Sequence, residues 1–175
     1  TPRYLEVSRR STLLPSLLPL AEENFETLFR QYRRISLSEF LSSLGLDAYT
    51  QNIAQALKLP RGAHVIREED FPSSHIFKEL KVLPLFQALY ESERVARRQA
   101  FIAYLAGLSG GSPPARLVVV DVGWKGTIQD NLFGLLCRTG DTPVRRVTGY
   151  YIGLLAQGAA SSNNDKFGLL FSSAG

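Results

Sequence analysis

An α/β domain with a mostly parallel sheet and a small all-α lobe is what this sequence predicts, from three observations. A short run of branched apolar residues, Leu117 to Asp121, stops at an acid and gives way to a glycine-bearing turn. Beyond it Ile128, Leu132, Leu135 and Leu136 recur at helical spacing. A second apolar and aromatic run follows from Val147 to Leu155, so strand, helix and strand stand in a row over residues 116–155. Between residues 21 and 60, by contrast, the apolar residues keep a helical period.

Length and composition agree with one core of ordinary size, so residues 1–175 read as a single domain. The absence of methionine and the start at Thr1 read as a piece of a longer protein. No stretch is apolar enough to span a membrane, and the opening residues lack a signal-peptide pattern, so a cytosolic protein is expected. One cysteine and two separated histidines exclude a disulfide and a zinc or haem constellation. The net charge of +4 comes largely from arginine pairs scattered among acids, which suits a small anionic substrate better than a nucleic-acid stripe.

Taken in order, Tyr4 to Val7 alternates as a short strand, and Ser8-Arg9-Arg10-Ser11 places two hydroxyls and two guanidiniums at its end. Arginine forks with neighbouring hydroxyls suit phosphate oxygens, although a solvated turn is the plainer reading. A helix is expected over Ala21–Arg34, with Phe25, Leu28, Phe29 and Tyr32 on one face. Ser36 with Glu39 forms a capping box for a second helix ending at Gly45, and Asp47 can cap a third. These make the helical insertion, residues 21–60.

Ala63 to Ile66 suggests a brief strand, followed by the acidic turn Arg67–Pro72 and a short helix around His75, read as a partly buried or capping residue. Pro84 opens the longest helix, about 85–107, carrying Glu91–Arg94 and Glu93–Arg97 surface pairs. Residues 109–115, Ser-Gly-Gly-Ser-Pro-Pro-Ala, form a linker to the Rossmann-like β-α-β core over 116–155. Its first strand is expected to be covered on both faces. A turn is expected over Thr139–Pro143, and Gln157 to Lys166 reads as a small, polar surface loop.

The chemistry concentrates after Asp121. Gly123 and Gly126 let the backbone approach a ligand closely, and the new helix offers free N–H groups to an anion. Lys125, Gly126 and Thr127 are the candidate phosphate cradle, with Asp121 facing sugar hydroxyls or a metal-bound water. Trp124, between the two glycines, reads as a contact surface or as packed under a neighbouring loop. Thr127 as a plain N-cap is the structural alternative. Any metal is expected to be Mg²⁺ held by oxygens and a substrate phosphate, with no metal site of the protein's own.

Three segments together, Tyr4–Ser11, Asp121–Leu132 and Gly149-Tyr-Tyr151, resemble a bacterial family found in polysaccharide gene clusters. There the module usually follows a haloacid-dehalogenase-type phosphatase domain in the same polypeptide. The resemblance spans nearly the whole chain and implies a phosphoribosyltransferase-like fold. It also implies transfer of 5-phosphoribose from phosphoribosyl pyrophosphate to a glycan acceptor, the phosphatase then removing the phosphate.

In that scheme Asp121 orders ribose hydroxyls, and Lys125, Gly126 and Thr127 take the 5-phosphate. Arg9 and Arg10, with Ser8 and Ser11, receive the pyrophosphate, while Gly123, Trp124 and Gln129 complete the substrate-binding motif. Asp130 is the candidate general base, or simply an acid stabilising the helix dipole. Both loops are expected to leave parallel strands on one edge of the sheet. Ordinary phosphoribosyltransferases carry two acids and a Thr-Gly-Gly-Thr-like turn here, where this chain has one acid and Gly-Trp-Lys-Gly-Thr127. Two other readings remain open: an actin-like sugar kinase, which needs a hairpin after Asp121, and a non-catalytic interaction or scaffold module of polysaccharide biosynthesis.

Overall fold

The computed structural model describes residues 2–30, 32–138, 140, 142–155 and 161–172. The chain divides into two units, one formed by Leu18–Ala96 and the other by Thr1–Leu17 with Arg97–Gly175. Thr139 and Asp141 of the expected turn, and 157–160 of the expected polar loop, lie outside the described residues.

The sheet unit begins with helix α1 (Arg9–Ser16). Tyr4 to Val7 does not form the expected strand. Its backbone turns, with Val7 N–H donating to the Leu5 carbonyl at 3.1 Å, and the Glu6 N–H donates to the Tyr104 hydroxyl at 2.9 Å. A side chain thus takes the backbone donor that a sheet would have used.

In the unit Leu18–Ala96, α2 covers only Glu26–Phe29, and the long helix expected over 21–34 is absent among the described residues. Phe25 stands at φ +55° with its ring buried, and the Glu23 carboxylate accepts the Phe25 N–H at 2.6 Å and the Leu18 N–H at 2.9 Å. An acid read as helix surface instead satisfies non-helical backbone. Helix α3 (Leu37–Ser43) starts with the expected capping box: the Glu39 N–H donates to Ser36 Oγ and the Ser36 N–H to Glu39 Oε2.

A 3₁₀ turn at Asp47–Tyr49 leads into α4 (Thr50–Ala56). Ala63–Val65 is another 3₁₀ turn instead of the expected strand. Helix α5 (His75–Val82) is capped by Ser74, leaving His75 exposed beside Glu79 at 3.8 Å. Helix α6 (Pro84–Leu108) follows as expected, with Glu91 pairing to Arg94 at 2.8 Å.

The sheet unit resumes with the second half of α6. Strand β1 (Arg116–Asp121), helix α7 (Thr127–Cys137), strand β2 (Arg146–Leu154) and strand β3 (Asn164–Ser172) complete it. The three strands run parallel in the order β1-β2-β3, with Val120 opposite Tyr150 and Tyr150 opposite Phe167. This is an α/β fold on a parallel sheet. Because α7 joins the carboxyl end of β1 to the amino end of β2, it runs back against the strands. No hairpin follows Asp121, which removes the structural context of the kinase reading.

Phe101 and Leu105 of α6, Leu132, Leu135 and Leu136 of α7, and Val144 and Val147 form the core, with Leu117 and Val119 packed against it. The Arg98 guanidinium ties α6 to α7 by donating to the Leu135 carbonyl at 2.6 Å. All these helical side chains gather on one side of the sheet. The expected two-sided cover of β1 is therefore not observed: Val118 and Val120 point the other way and are 60% and 76% exposed. Among the described residues no helix is long and apolar enough to cross a membrane.

Candidate functional site

Strand β1 delivers Asp121 to the carboxyl edge of the parallel sheet, where open α/β sheets take their ligands. Asp121 is half-buried, and its Oδ1 accepts the Gly123 N–H at 3.0 Å, an Asx turn that starts the loop. The loop ends at Gly126, whose φ of +63° swings the chain into α7. Gly126, not Thr127, is the N-cap, so the first-turn amides of α7 begin without a capping side chain. Thr127 is the first helical residue, and Lys125 is exposed beside it. Trp124 is 56% exposed, with its ring 6.0 Å from Phe171 and its carbonyl accepting the Leu155 N–H at 2.9 Å.

Beneath this loop lies a buried polar chain that joins α7 to both neighbouring strands. The Tyr151 hydroxyl donates to Gln129 Oε1 at 2.8 Å, and Gln129 Nε2 donates to Asn164 Oδ1 and the Asp165 carbonyl, both at 2.8 Å. Asn164 Nδ2 then donates to Asp130 Oδ1 at 2.8 Å, and the same oxygen pairs with Lys166 Nζ at 2.6 Å. The Lys166 side chain is 2% exposed. Burial, then the negative charges of Asp121 and Asp130, push the Tyr151 phenol well above its usual range.

Two glycines make this arrangement sterically possible. A Cβ at Gly149 would meet Gln129 Oε1 at 1.8 Å, so the amide can lie against β2 only over a bare backbone. A Cβ at Gly126 would meet Lys166 Cδ and Cε at 2.8 Å and the Tyr151 hydroxyl oxygen at 3.0 Å, so lysine and tyrosine together floor the turn.

The structure thus sets Asp121, Gly126 and Thr127 at the carboxyl end of the sheet, with Gly123, Trp124 and Lys125 on the connecting loop, whereas Gln129 and Asp130 reach towards the amino end of β3 at Asn164. Asp130 holds a buried lysine and an asparagine on one oxygen, which makes it a counter-ion. The Ser8–Ser11 segment arrives differently. Its premise of a preceding strand fails, and its hydroxyls close a capping box on α1, the Ser11 N–H donating to Ser8 Oγ at 3.1 Å and the Ser8 N–H to Ser11 Oγ at 2.8 Å. Helix α1 packs on α7 through Asn131 Nδ2, which donates to Thr12 Oγ1 at 3.1 Å and the Arg9 carbonyl at 3.4 Å. The Arg9 backbone carbonyl therefore lies about one helical turn along α7 from Thr127.

No protein-family model matches this sequence, and a search of curated proteins returns no significant match. The geometry alone carries the functional reading. It adds Tyr151, Asn164 and Lys166 to the residues that sequence reasoning singled out. The scaffold reading expects Tyr151, with Tyr150, at an interaction surface, but Tyr151 is buried; the signal for the other two is the alternation Phe167, Leu169, Phe171, which marks a strand following the asparagines.

Proposed function

We propose that the loop between β1 and α7 binds phosphoribosyl pyrophosphate and that the chain transfers its phosphoribosyl group to a glycan hydroxyl in bacterial surface polysaccharide assembly. The observation that carries this reading is the opening of the α7 amino terminus, through Gly126 at φ +63°, beside Asp121 at the carboxyl edge of a parallel sheet. The 5-phosphate takes the first-turn amides and Lys125, and Asp121 accepts from the ribose hydroxyls.

The acceptor oxygen bonds to the anomeric carbon as its bond to pyrophosphate breaks. Pyrophosphate leaves with the electron pair, and the hydroxyl proton passes to solvent or to the departing diphosphate. Arg9 and Arg10 take the charge that develops there. A Mg²⁺ carried in by the donor's phosphates would be met at the loop by the Asp121 carboxylate and would supply positive charge to the leaving diphosphate. A haloacid-dehalogenase-type phosphatase in the same polypeptide would act on the product.

Isothermal titration with phosphoribosyl pyrophosphate and Mg²⁺ tests this reading. Binding is expected, and Lys125→Glu, at an exposed position that leaves the fold intact, should weaken it by about tenfold or more. Absence of heat and of any thermal shift at millimolar donor would leave the scaffold reading in its place.

A further inference from the structure

The sheet face turned away from α7 is apolar, and its described side chains are exposed. Val120, Tyr150 and Phe167 lie opposite one another across the three strands, and the Tyr150 and Phe167 rings stack with centroids 5.5 Å apart. Val118 and Ile152 extend this row along the strands, and Val122 and Leu169 are exposed beyond it. At roughly 80–120 Å² each, about half of what such side chains bury in a core, they make a patch of about 600–800 Å², above the usual range for a monomer. The amino end of the face is charged instead. Arg116 stands opposite Arg146, and Arg146 Nε donates to Asp165 Oδ2 at 2.7 Å.

We propose that this face is the docking surface for one amphipathic α-helix supplied from outside residues 1–175, laid antiparallel to the strands. Parallel sheets take helices on both faces, and α7 already covers the opposite side in that direction. Three strands about 4.8 Å apart make a strip about as wide as one helix with its side chains. A helix running against the strands also ends over their amino termini, which sets its negative, carbonyl-bearing end on Arg116, Arg146 being already paired with Asp165.

A second copy of the chain fits poorly. With strands aligned, its arginine row would face the same row; with strands opposed, each row would be buried on the partner's apolar end. The proposal is independent of the phosphoribosyl reading.

The test is fluorescence polarisation on residues 1–175, with sedimentation velocity alongside. The probe is a labelled, stapled helical peptide of about 16 residues, the length that spans these strands. It carries Leu and Ile on one face and Glu in its last turn. Saturable one-to-one binding to a monomeric chain is expected, weakened about tenfold or more by Val120→Lys with Phe167→Lys. Replacing the probe's last-turn Glu by Lys should weaken it about two- to fivefold.

Circular dichroism checks that the double variant folds, and Val120→Thr, which suits a strand, gives the same direction in its place. Self-association that these substitutions abolish would assign the face to a second copy and overturn the proposal. Equal binding by wild type and variants, or no binding, would overturn it as well.

Discussion

The two units bury different things. In Leu18–Ala96 the interior is made of rings: Phe40 is fully buried and touches Phe25 at 5.2 Å, Phe29 at 5.7 Å, Phe71 at 5.2 Å and Phe77 at 5.5 Å. Its buried polar residues are two small hydroxyls, Ser36 and Thr50, among those described. Among the described residues its Arg33–Asp70 and Arg34–Glu69 ion pairs stay at the surface. The sheet unit instead draws Gln129, Asn131, Asn164 and Lys166 inside. A buried charge is costly unless fully paired, and Lys166 is held beneath the β1–α7 turn by its pairing with Asp130.

The comparison breaks most visibly at Phe40. Phe40→Ala should destabilise the protein by about 3–5 kcal/mol in urea denaturation, because a ring is lost from a cluster with no solvent to refill it. Donor binding at the β1–α7 loop should survive at temperatures where the variant remains folded. If the loss is under about 1 kcal/mol, the helical unit does not depend on its aromatic interior.

Lys166 is the corresponding test in the sheet unit. Lys166→Met leaves the Asp130 carboxylate with Asn164 and partial access to solvent, so a loss of about 3 kcal/mol is expected, the low end for breaking a buried pair. The double variant Lys166→Met with Asp130→Asn should lose less than the two single losses added together, since no charge is then left unpaired. Additive losses would mean that the pair is not coupled, and the contrast between the units would shrink to one of composition.

Much of the architecture was legible because its cues are local. The capping box at Ser36, the proline opening α6, and the strand-turn-helix around Asp121 each depend on residues within a few positions of one another. What escaped depends on distant partners. Asn164 and Lys166 read as loop because both are polar, yet they are interior: Gln129 and Asp130, more than thirty residues earlier, meet them across the sheet. Phe25 left the helical pattern because Glu23 serves the Phe25 and Leu18 amides and is drawn off the helix surface. The valine run of β1 suits a strand buried on one face as well as on two, and which of these holds depends on where the helices of the unit gather.

The smallest effect belongs to a surface pair of the helical unit, where polar groups lie outside the core. Arg67 donates to both carboxylate oxygens of Glu39, its Nε at 3.0 Å from each, and the Ser36 amide donates to Oε2. The Arg67 hydrogen bonds first, and the Ser36 amide second, lower the Glu39 carboxyl from 4.5 to about 2. Its folded pKa lies below the unfolded one, so the contribution is fully present above pH 4.5 and is lost as pH falls through about 2. Glu39→Gln keeps the capping bond and removes the charge. The difference in melting temperature between wild type and Glu39→Gln should therefore be constant above about pH 5 and close progressively towards pH 2. It should also diminish in high salt, because both side chains are well exposed. A difference that does not change with pH across that window would remove Arg67 from the forces that hold α3.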